Sequence, residues 1–88
     1  MTTQHTRLTV ERVDTISRRP SMIFVTGTLE GGPLHIGDSV VIDDVDRAAT
    51  HTVIRSIEVH TAPGRATIAL DAALKAFVRS GVVISRSE

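Results

Sequence analysis

With 88 residues, the chain is long enough for one domain with a modest hydrophobic core. It has no cysteine, which excludes disulfides and thiolate metal sites, and the sequence has no apolar run long enough to cross a bilayer or to serve as a signal peptide. Ten basic residues balance ten acidic residues, so no overall positive charge attracts nucleic acid. We therefore expect a cytoplasmic protein that does not bind membranes.

The N-terminal part of the chain predicts a flexible tail followed by a strand. Residues 1–6 are polar and unpatterned, which is typical of a frayed terminus. The strand covers residues 7–16 and alternates apolar with polar side chains. That alternation breaks after Val10, which indicates a β-bulge near Glu11 and Arg12.

Five further segments are rich in β-branched residues and predict strands. They cover residues 22–30, 40–42, 51–60, 66–70 and 82–85. Turn residues separate them, including Pro20 and the turn from Ala62 to Gly64. Residues 71–80 contain good helix formers, and we expect a loop with one helical turn there. Six short strands with turns between them predict an all-β protein, either a barrel or a sandwich.

The sequence from Thr26 to Val40, TGTLEGGPLHIGDSV, is the most specific pattern in the chain. Its glycines and apolar residues follow an order that resembles the central hairpin in the second domain of elongation factor Tu-type translational GTPases. The matching positions are Gly27, Leu29, Gly32, Leu34, Ile36, Gly37, Asp38 and Val40. Of these, Gly32 and Gly37 can supply the positive φ that a chain reversal needs.

The resemblance covers about residues 7–86. Val10 to Val13 is similar to the entering strand of that family, Thr52 to His60 to its central strand, and Val78 to Gly81 to its closing strand. The resemblance implies a small, closed antiparallel β-barrel of about six strands, here as a stand-alone protein. Its structural turn glycines would be Gly27, Gly32, Gly37 and Gly81. The sequence has no GxxxxGK[ST] phosphate loop, so we expect no enzymatic activity and no cofactor.

The same resemblance makes Glu58 a candidate RNA contact. In full-length relatives the barrel packs on the GTPase domain, and in the elongation factor itself it holds the 3′ end of aminoacyl-tRNA. Glu58 matches the glutamate that the family places at the terminal adenosine. A carboxylate there can accept hydrogen bonds from a ribose hydroxyl. The alternative is an ordinary outward-facing residue on a half-exposed strand.

A second candidate surface lies at the start of the second predicted strand. Arg18 and Arg19 form a small basic spot that could contact phosphate or an acidic partner, or could simply be solvated. The apolar run that follows, starting with Met22 and Ile23, puts large side chains on both faces of the strand. We therefore expect Met22 or Ile23 in an exposed docking patch. Alternatively, residues 71–80 cover this strand.

The acidic residues and histidines show no recognisable metal-binding spacing. Asp43, Asp44 and Asp46 crowd one turn, where aspartate is favoured for its hydrogen bonds to the backbone, and they match no calcium loop. The spacing of metal ligands is also absent among the histidines His35, His51 and His60. The serines lie outside any known nucleophile motif. We expect no metal site and no catalytic residue.

These observations predict a binding module that docks on a protein partner in trans, such as a separate NTPase or a component of the translation machinery. An RNA-end binder that uses the Glu58 face and a structural protein that self-associates are the alternatives. The zero net charge and the absence of Trp and Tyr favour a protein partner. Binders of single-stranded nucleic acid usually combine a basic groove with aromatic platforms.

Overall fold

The computed structural model describes residues 6–58 and 64–86, which form one antiparallel sheet and a short 3₁₀ helix. The elements are β1 (Arg7–Thr15), β2 (Met22–Glu30), β3 (Ser39–Asp43), β4 (Thr50–Val53), β5 (Ser56–Glu58), β6 (Arg65–Asp71), the 3₁₀ helix (Ala72–Phe77) and β7 (Val83–Arg86). The order across the sheet is β4-β3-β7-β1-β2-β6-β5. The predicted all-β class is confirmed.

Some of the predicted segments lie outside the described residues. They are the tail at residues 1–5, the end of the predicted fourth strand at residues 59–60 and the turn at residues 62–63. Thr6 differs from its predicted place in the tail, because it is buried. Its carbonyl oxygen accepts a hydrogen bond from the Arg86 N–H at 3.0 Å. The folded part of the chain therefore includes Thr6.

The first and last strands, β1 and β7, pair side by side near the middle of the sheet. Their register places Arg7 opposite Ser85. Two backbone hydrogen bonds continue this contact beyond the ladder, from the Val10 N–H to the Val82 carbonyl and from the Gly81 N–H to the Val10 carbonyl, both at 2.8 Å. This central seam joins the two strands that are farthest apart in the sequence.

A β-bulge at Glu11 determines which side chains of β1 face the core. Before the bulge, Val10 belongs to the buried cluster, and after it Val13 packs against the same cluster. The pairing with β2 shifts register between Val10 and Arg12, which confirms the predicted bulge. Because side chains alternate along a strand, the extra residue moves Arg12 and Asp14 to the outer face.

The core fills the inner, concave face of the sheet. Its most deeply buried side chains are Leu8, Val10, Ile23, Val25, Val40, Ile42, Ile54, Ile68, Leu70 and Ile84. On β2 and β6 the residues between these positions are buried too, namely Phe24, Thr26, Thr67 and Ala69. Since neighbouring residues of a strand point to opposite faces, β2 and β6 are buried on both faces of the sheet.

The sheet curls into a half-barrel that stays open, which corrects the predicted closed barrel. Its end strands, β4 and β5, do not pair with each other within the described residues. They follow one another in the chain, and the predicted single strand at 51–60 is two strands. The Ile54 N–H donates to the Asp38 carbonyl at 3.0 Å, whereas the Arg55 N–H donates to the Ala69 carbonyl at 2.9 Å. The covalent chain therefore joins the two edges, in place of a hydrogen-bond ladder.

The predicted helical turn is the six-residue 3₁₀ helix. The carboxylate of Asp71 caps it by accepting a hydrogen bond from the Ala73 N–H at 2.9 Å. The Ala72 N–H donates to the Ser21 carbonyl at 2.9 Å, and Ala72 and Leu74 pack against the buried cluster. The helix therefore covers the core next to the start of β2. This agrees with the alternative prediction that residues 71–80 cover this strand.

The reversal after β2 uses a different glycine from the one predicted. Gly31 has a φ of 83°, and Gly32 is not among the residues with positive φ. Gly37, with a φ of 91°, adopts the left-handed conformation as predicted. The first glycine of the pair thus makes the turn, because the chain reverses directly at the end of β2.

Gly27 lies inside β2 and not in a turn, which corrects its predicted role. It faces the backbone of β1 beside the bulge. A Cβ atom on Gly27 would lie 2.1 Å from the carbonyl oxygen of Thr9. Glycine is required here by the close approach of two backbones.

Candidate functional site

A shallow groove of about 220 Å³ crosses the outer face of β1, β2, β6 and β5. Its lining residues are Arg12, Asp14, Ile16, Phe24, Thr26, Glu58 and Thr67. The strand register aligns four of them in one row across the sheet, here called the polar row: Arg12, Thr26, Thr67 and Glu58. Pairing in the sheet therefore assembles the groove from four strands that are separate in sequence.

An apolar row runs alongside the polar row. Phe24 lies opposite Asp14 on one side and opposite Ala69 on the other. Phe24 is only 3% exposed, whereas Ile16, at the β1 end of the groove, is 41% exposed. The guanidinium carbon of Arg19 lies 5.1 Å from the centroid of the Phe24 ring, which is a cation–π contact. The groove thus has an apolar floor with one accessible apolar side chain.

Two threonine hydroxyls meet in the middle of the polar row. The Oγ1 atoms of Thr26 and Thr67 are 2.7 Å apart and form a hydrogen bond. Both residues are almost fully buried, so this bond offsets the cost of removing the hydroxyls from water. The threonine pair is thus a buried, hydrogen-bonded part of the groove floor.

Arg12 and Glu58 occupy opposite ends of the polar row and do not neutralise each other. Three strand spacings separate them, which is roughly 14 Å along the sheet. The Nε atom of Arg12 instead donates to Oδ2 of Asp14 at 3.0 Å. Glu58 is partly buried, and its carboxylate has no hydrogen bond or ion pair among the residues that the structure describes. Within residues 6–58 and 64–86, Glu58 is therefore the charged group of the groove that has no partner of opposite charge.

Glu11 lies on the same face of the sheet as Glu58, but its carboxylate has partners. Its carboxylate accepts a hydrogen bond from the Thr28 hydroxyl at 2.9 Å and forms an ion pair with Arg65, also at 2.9 Å. In the part of the chain that the structure describes, Glu11 thus has a cation beside it and Glu58 has none.

The predicted contact residues fall into two groups. Glu58 lines the groove, and Arg19 lies beside it, with Nη2 3.6 Å from the sulfur of the partly buried Met22. Ile23 is 0% exposed and belongs to the buried cluster, so its predicted docking role is wrong. Strand alternation places Met22 on the outer face and Ile23 on the inner face. The Arg18 side chain is exposed and unpaired among the described residues.

Most of the groove was not predicted from the sequence. Thr26 and Thr67 are ordinary strand residues until the register of β2 and β6 brings them together, and a single sequence does not fix that register. A signal did exist for Arg12, because the predicted bulge after Val10 reverses the alternation and turns Arg12 outward.

The acidic turn after β3 holds an arginine side chain. Nη2 of Arg79 lies 3.1 Å from Oδ2 of Asp44 and 3.2 Å from Oδ2 of Asp46. The Asp46 N–H donates to Oδ1 of Asp44 at 3.3 Å, the kind of backbone contact predicted for aspartate in a turn. Arg47 donates from Nη1 to the Ala76 carbonyl at 2.9 Å. These contacts tie the turn after β3 to the segment that precedes β7.

We expect Asp44→Asn to lower stability at neutral pH and to have little effect near pH 2. The Asp46 N–H and then Arg79 hold the pKa of Asp44 below its ordinary value of 3.8, against the opposing effect of burial. A carboxylate with a lowered pKa stabilises the folded state above the unfolded-state pKa, and this stabilisation disappears as the pH falls through the folded-state pKa. Urea unfolding midpoints between neutral pH and about pH 2 measure the difference.

The matched control is Asp43→Asn, because this neighbouring carboxylate is exposed and has no ion pair among the described residues. Its unfolding midpoint should stay close to that of the wild type at every pH. A deficit for Asp44→Asn that is equally large at neutral pH and near pH 2 would show that packing, and not charge, explains its effect.

Within residues 6–58 and 64–86, no group of three or more histidine, aspartate or glutamate side chains is arranged to hold a metal ion. His35 and His51 are exposed, and His60 lies outside the described residues. No helix in this part of the chain has the length and apolar character needed to span a membrane.

The architecture is an all-β half-barrel with a groove on its outer face, which defines a class of fold but not a function. Comparisons of the chain with models of known protein families, with curated proteins and with solved structures give no match. The resemblance to the second domain of elongation factor Tu-type GTPases therefore remains a prediction from the sequence.

Proposed function

We propose that the protein is a non-catalytic binding module that docks on a protein partner through the outer groove. The observation that supports this most directly is the partly buried carboxylate of Glu58, which is unpaired among the described residues and lies on the same groove as the exposed Ile16. A partner surface that carries apolar and charged groups would satisfy both. The sequence resemblance suggests a separate NTPase or a component of the translation machinery as the partner.

The chemistry of the groove favours protein over RNA. The net charge of the chain is zero, and the Arg12 cation in the groove is already paired with Asp14. The ring of Phe24 is 3% exposed and lies under Arg19, so it offers little surface on which a base could stack. Single-stranded nucleic acids are usually bound by cationic grooves with accessible aromatic rings.

Binding of an RNA end is the second candidate, because Glu58 does line a groove. It lies opposite Thr67 in the register, beside the threonine pair of the polar row. The carboxylate of Glu58 can accept hydrogen bonds from ribose hydroxyls. This arrangement would suit a terminal nucleoside whose phosphates remain in solvent.

A photo-crosslinking amino acid at Ile16 tests the docking surface. We expect p-benzoylphenylalanine at this position to form a discrete protein adduct in lysate of the source organism, because Ile16 lines the groove and is exposed. The same amino acid at Val45, which is 99% exposed in the turn after β3, is the matched control and should not form that adduct. Glu58→Arg should reduce the Ile16 adduct by about tenfold, since it reverses the charge in the groove.

The nature of the adduct separates the candidate functions. An adduct that nuclease removes would favour the RNA end. An adduct of twice the chain mass, formed by the purified protein alone, would favour self-association. Equal labelling from Ile16 and Val45, or no adduct at all, would contradict docking through the groove.

A further inference from the structure

We propose that the groove receives an arginine side chain of the partner, with the guanidinium group at Glu58. This inference rests on the proposed function. Most acidic side chains of the described residues already form ion pairs: Glu11, Asp14, Glu30, Asp38, Asp44, Asp46 and Asp71. The two that do not are Asp43, which is exposed, and Glu58, which is partly buried.

The partial burial of Glu58 makes its missing partner significant. An exposed carboxylate such as Asp43 is solvated by water, whereas a partly buried one has lost some of that solvation. A cation delivered by a partner would restore the interaction. Arg65, on the adjacent strand and two residues from Thr67, is paired with Glu11 at 2.9 Å. Arg12 lies three strands away and is paired with Asp14, so neither arginine satisfies Glu58.

The exposed apolar residue of the groove defines what else the partner presents. Ile16, which keeps 41% of its surface exposed, lies at the β1 end of the groove, three strands from Glu58 and beyond the reach of one arginine side chain. The guanidinium group would therefore sit at Glu58 while a separate apolar group of the partner contacts Ile16. The groove thus matches a partner surface that carries an arginine and a neighbouring apolar side chain.

The carboxylate of Glu58 favours arginine over lysine. A guanidinium group carries five N–H donors in a planar fork, so it can donate to both carboxylate oxygens at once, whereas an ammonium group acts as a compact point charge. A volume of about 220 Å³ is also below the usual range for cofactor sites and suits side chains of a partner.

Titration of the full chain with N-acetyl-arginine amide, followed by ¹H,¹⁵N NMR, tests the inference. We expect saturable shifts for the amides of Thr26, Thr67 and Glu58. N-acetyl-citrulline amide has nearly the same shape without the charge and should bind about tenfold more weakly or not at all. This comparison needs no variant, so it does not depend on the folding of a mutant.

Two substitutions test whether N-acetyl-arginine amide binds at Glu58. Glu58→Gln should weaken binding of N-acetyl-arginine amide by about tenfold. Glu30→Gln is the matched control, because Glu30 is an exposed glutamate at the far end of β2 that pairs with Arg7, and it should leave binding unchanged. Equal binding of the arginine and citrulline amides, no saturable shift, or no effect of Glu58→Gln would overturn the inference. Stronger binding of AMP to the same amides would also overturn it, in favour of the RNA end.

The two experiments distinguish a failure of the arginine inference from a failure of the proposed docking function. If p-benzoylphenylalanine at Ile16 forms a protein adduct but N-acetyl-arginine amide neither binds nor competes with it, the partner docks without an arginine in the groove. If the arginine amide binds at Glu58 but no protein adduct forms, the groove recognises the guanidinium group and the proposed docking function is wrong.

Discussion

Gly27→Ala is expected to destabilise the fold by about 3 kcal/mol or more, which is a large effect for one added methyl group. The new Cβ atom would lie 2.1 Å from the carbonyl oxygen of Thr9 and 2.8 Å from its carbonyl carbon. Both contacts are with backbone, so no side-chain rotation can relieve them. Thr9 also pairs with β7, and moving it away would disturb the central seam of the sheet. Urea unfolding, with NMR dispersion as a measure of native structure, gives the loss.

Gly37→Ala is the matched control for this prediction. Gly37 has a φ of +91°, and nothing lies within 4 Å of the position that its Cβ would take. Alanine there would suffer only the cost of the left-handed conformation, about 1–2 kcal/mol. A loss at Gly37 as large as that at Gly27 would contradict the view that the close approach of β1 and β2 is the more demanding constraint.

Ile23→Glu is expected to abolish cooperative folding at neutral pH. Ile23 is 0% exposed in the middle of the buried cluster, where a carboxylate would have neither water nor a cation. Burying an unpaired ion costs several kcal/mol, and small domains have only about 5–15 kcal/mol of stability in total. The loss of NMR dispersion and of a cooperative urea transition would report the unfolding.

Met22→Glu and Ile23→Val serve as controls for this substitution. Met22 is only partly buried on the outer face, so glutamate there should leave the fold intact. Ile23→Val removes one methylene from the core and should cost about 1 kcal/mol. An Ile23→Glu protein that stays folded would contradict the assignment of this residue to the core.

The strands were predictable because their boundaries are marked by residues with strong local preferences. The predicted limits of β2 agree with the structure, since Pro20 precedes the strand and the glycine pair follows it. The bulge in β1 was visible as a break in alternation, and it is the register shift after Val10. Such features depend on the residues of one segment, which the sequence contains in full.

The groove was harder to predict, because it depends on pairing between segments. Glu58, Thr67 and Thr26 become neighbours only through the registers of β5 with β6 and of β6 with β2. The opening of the barrel was hard to predict for the same reason, because it also depends on which strands pair. Nothing local in the stretch from Thr50 to Glu58 shows that the chain changes pairing partners between Ile54 and Arg55. The sequence alone did not distinguish Met22 from Ile23, because both are apolar. Only the structure shows that Met22 faces outward and Ile23 faces the core.

The seam between β1 and β7 has a consequence for how the protein folds during synthesis. The hairpin of β1 and β2 can form early, but the other edge of β1 has no partner until β7 has been made. At about 5–20 residues per second, the ribosome needs roughly 3–11 s to add residues 31–86, which follow the hairpin and include β7. For that time the open backbone edge of β1 is available to other strands. The pairings of β7 with β1 and with β3 are therefore the last that synthesis makes possible.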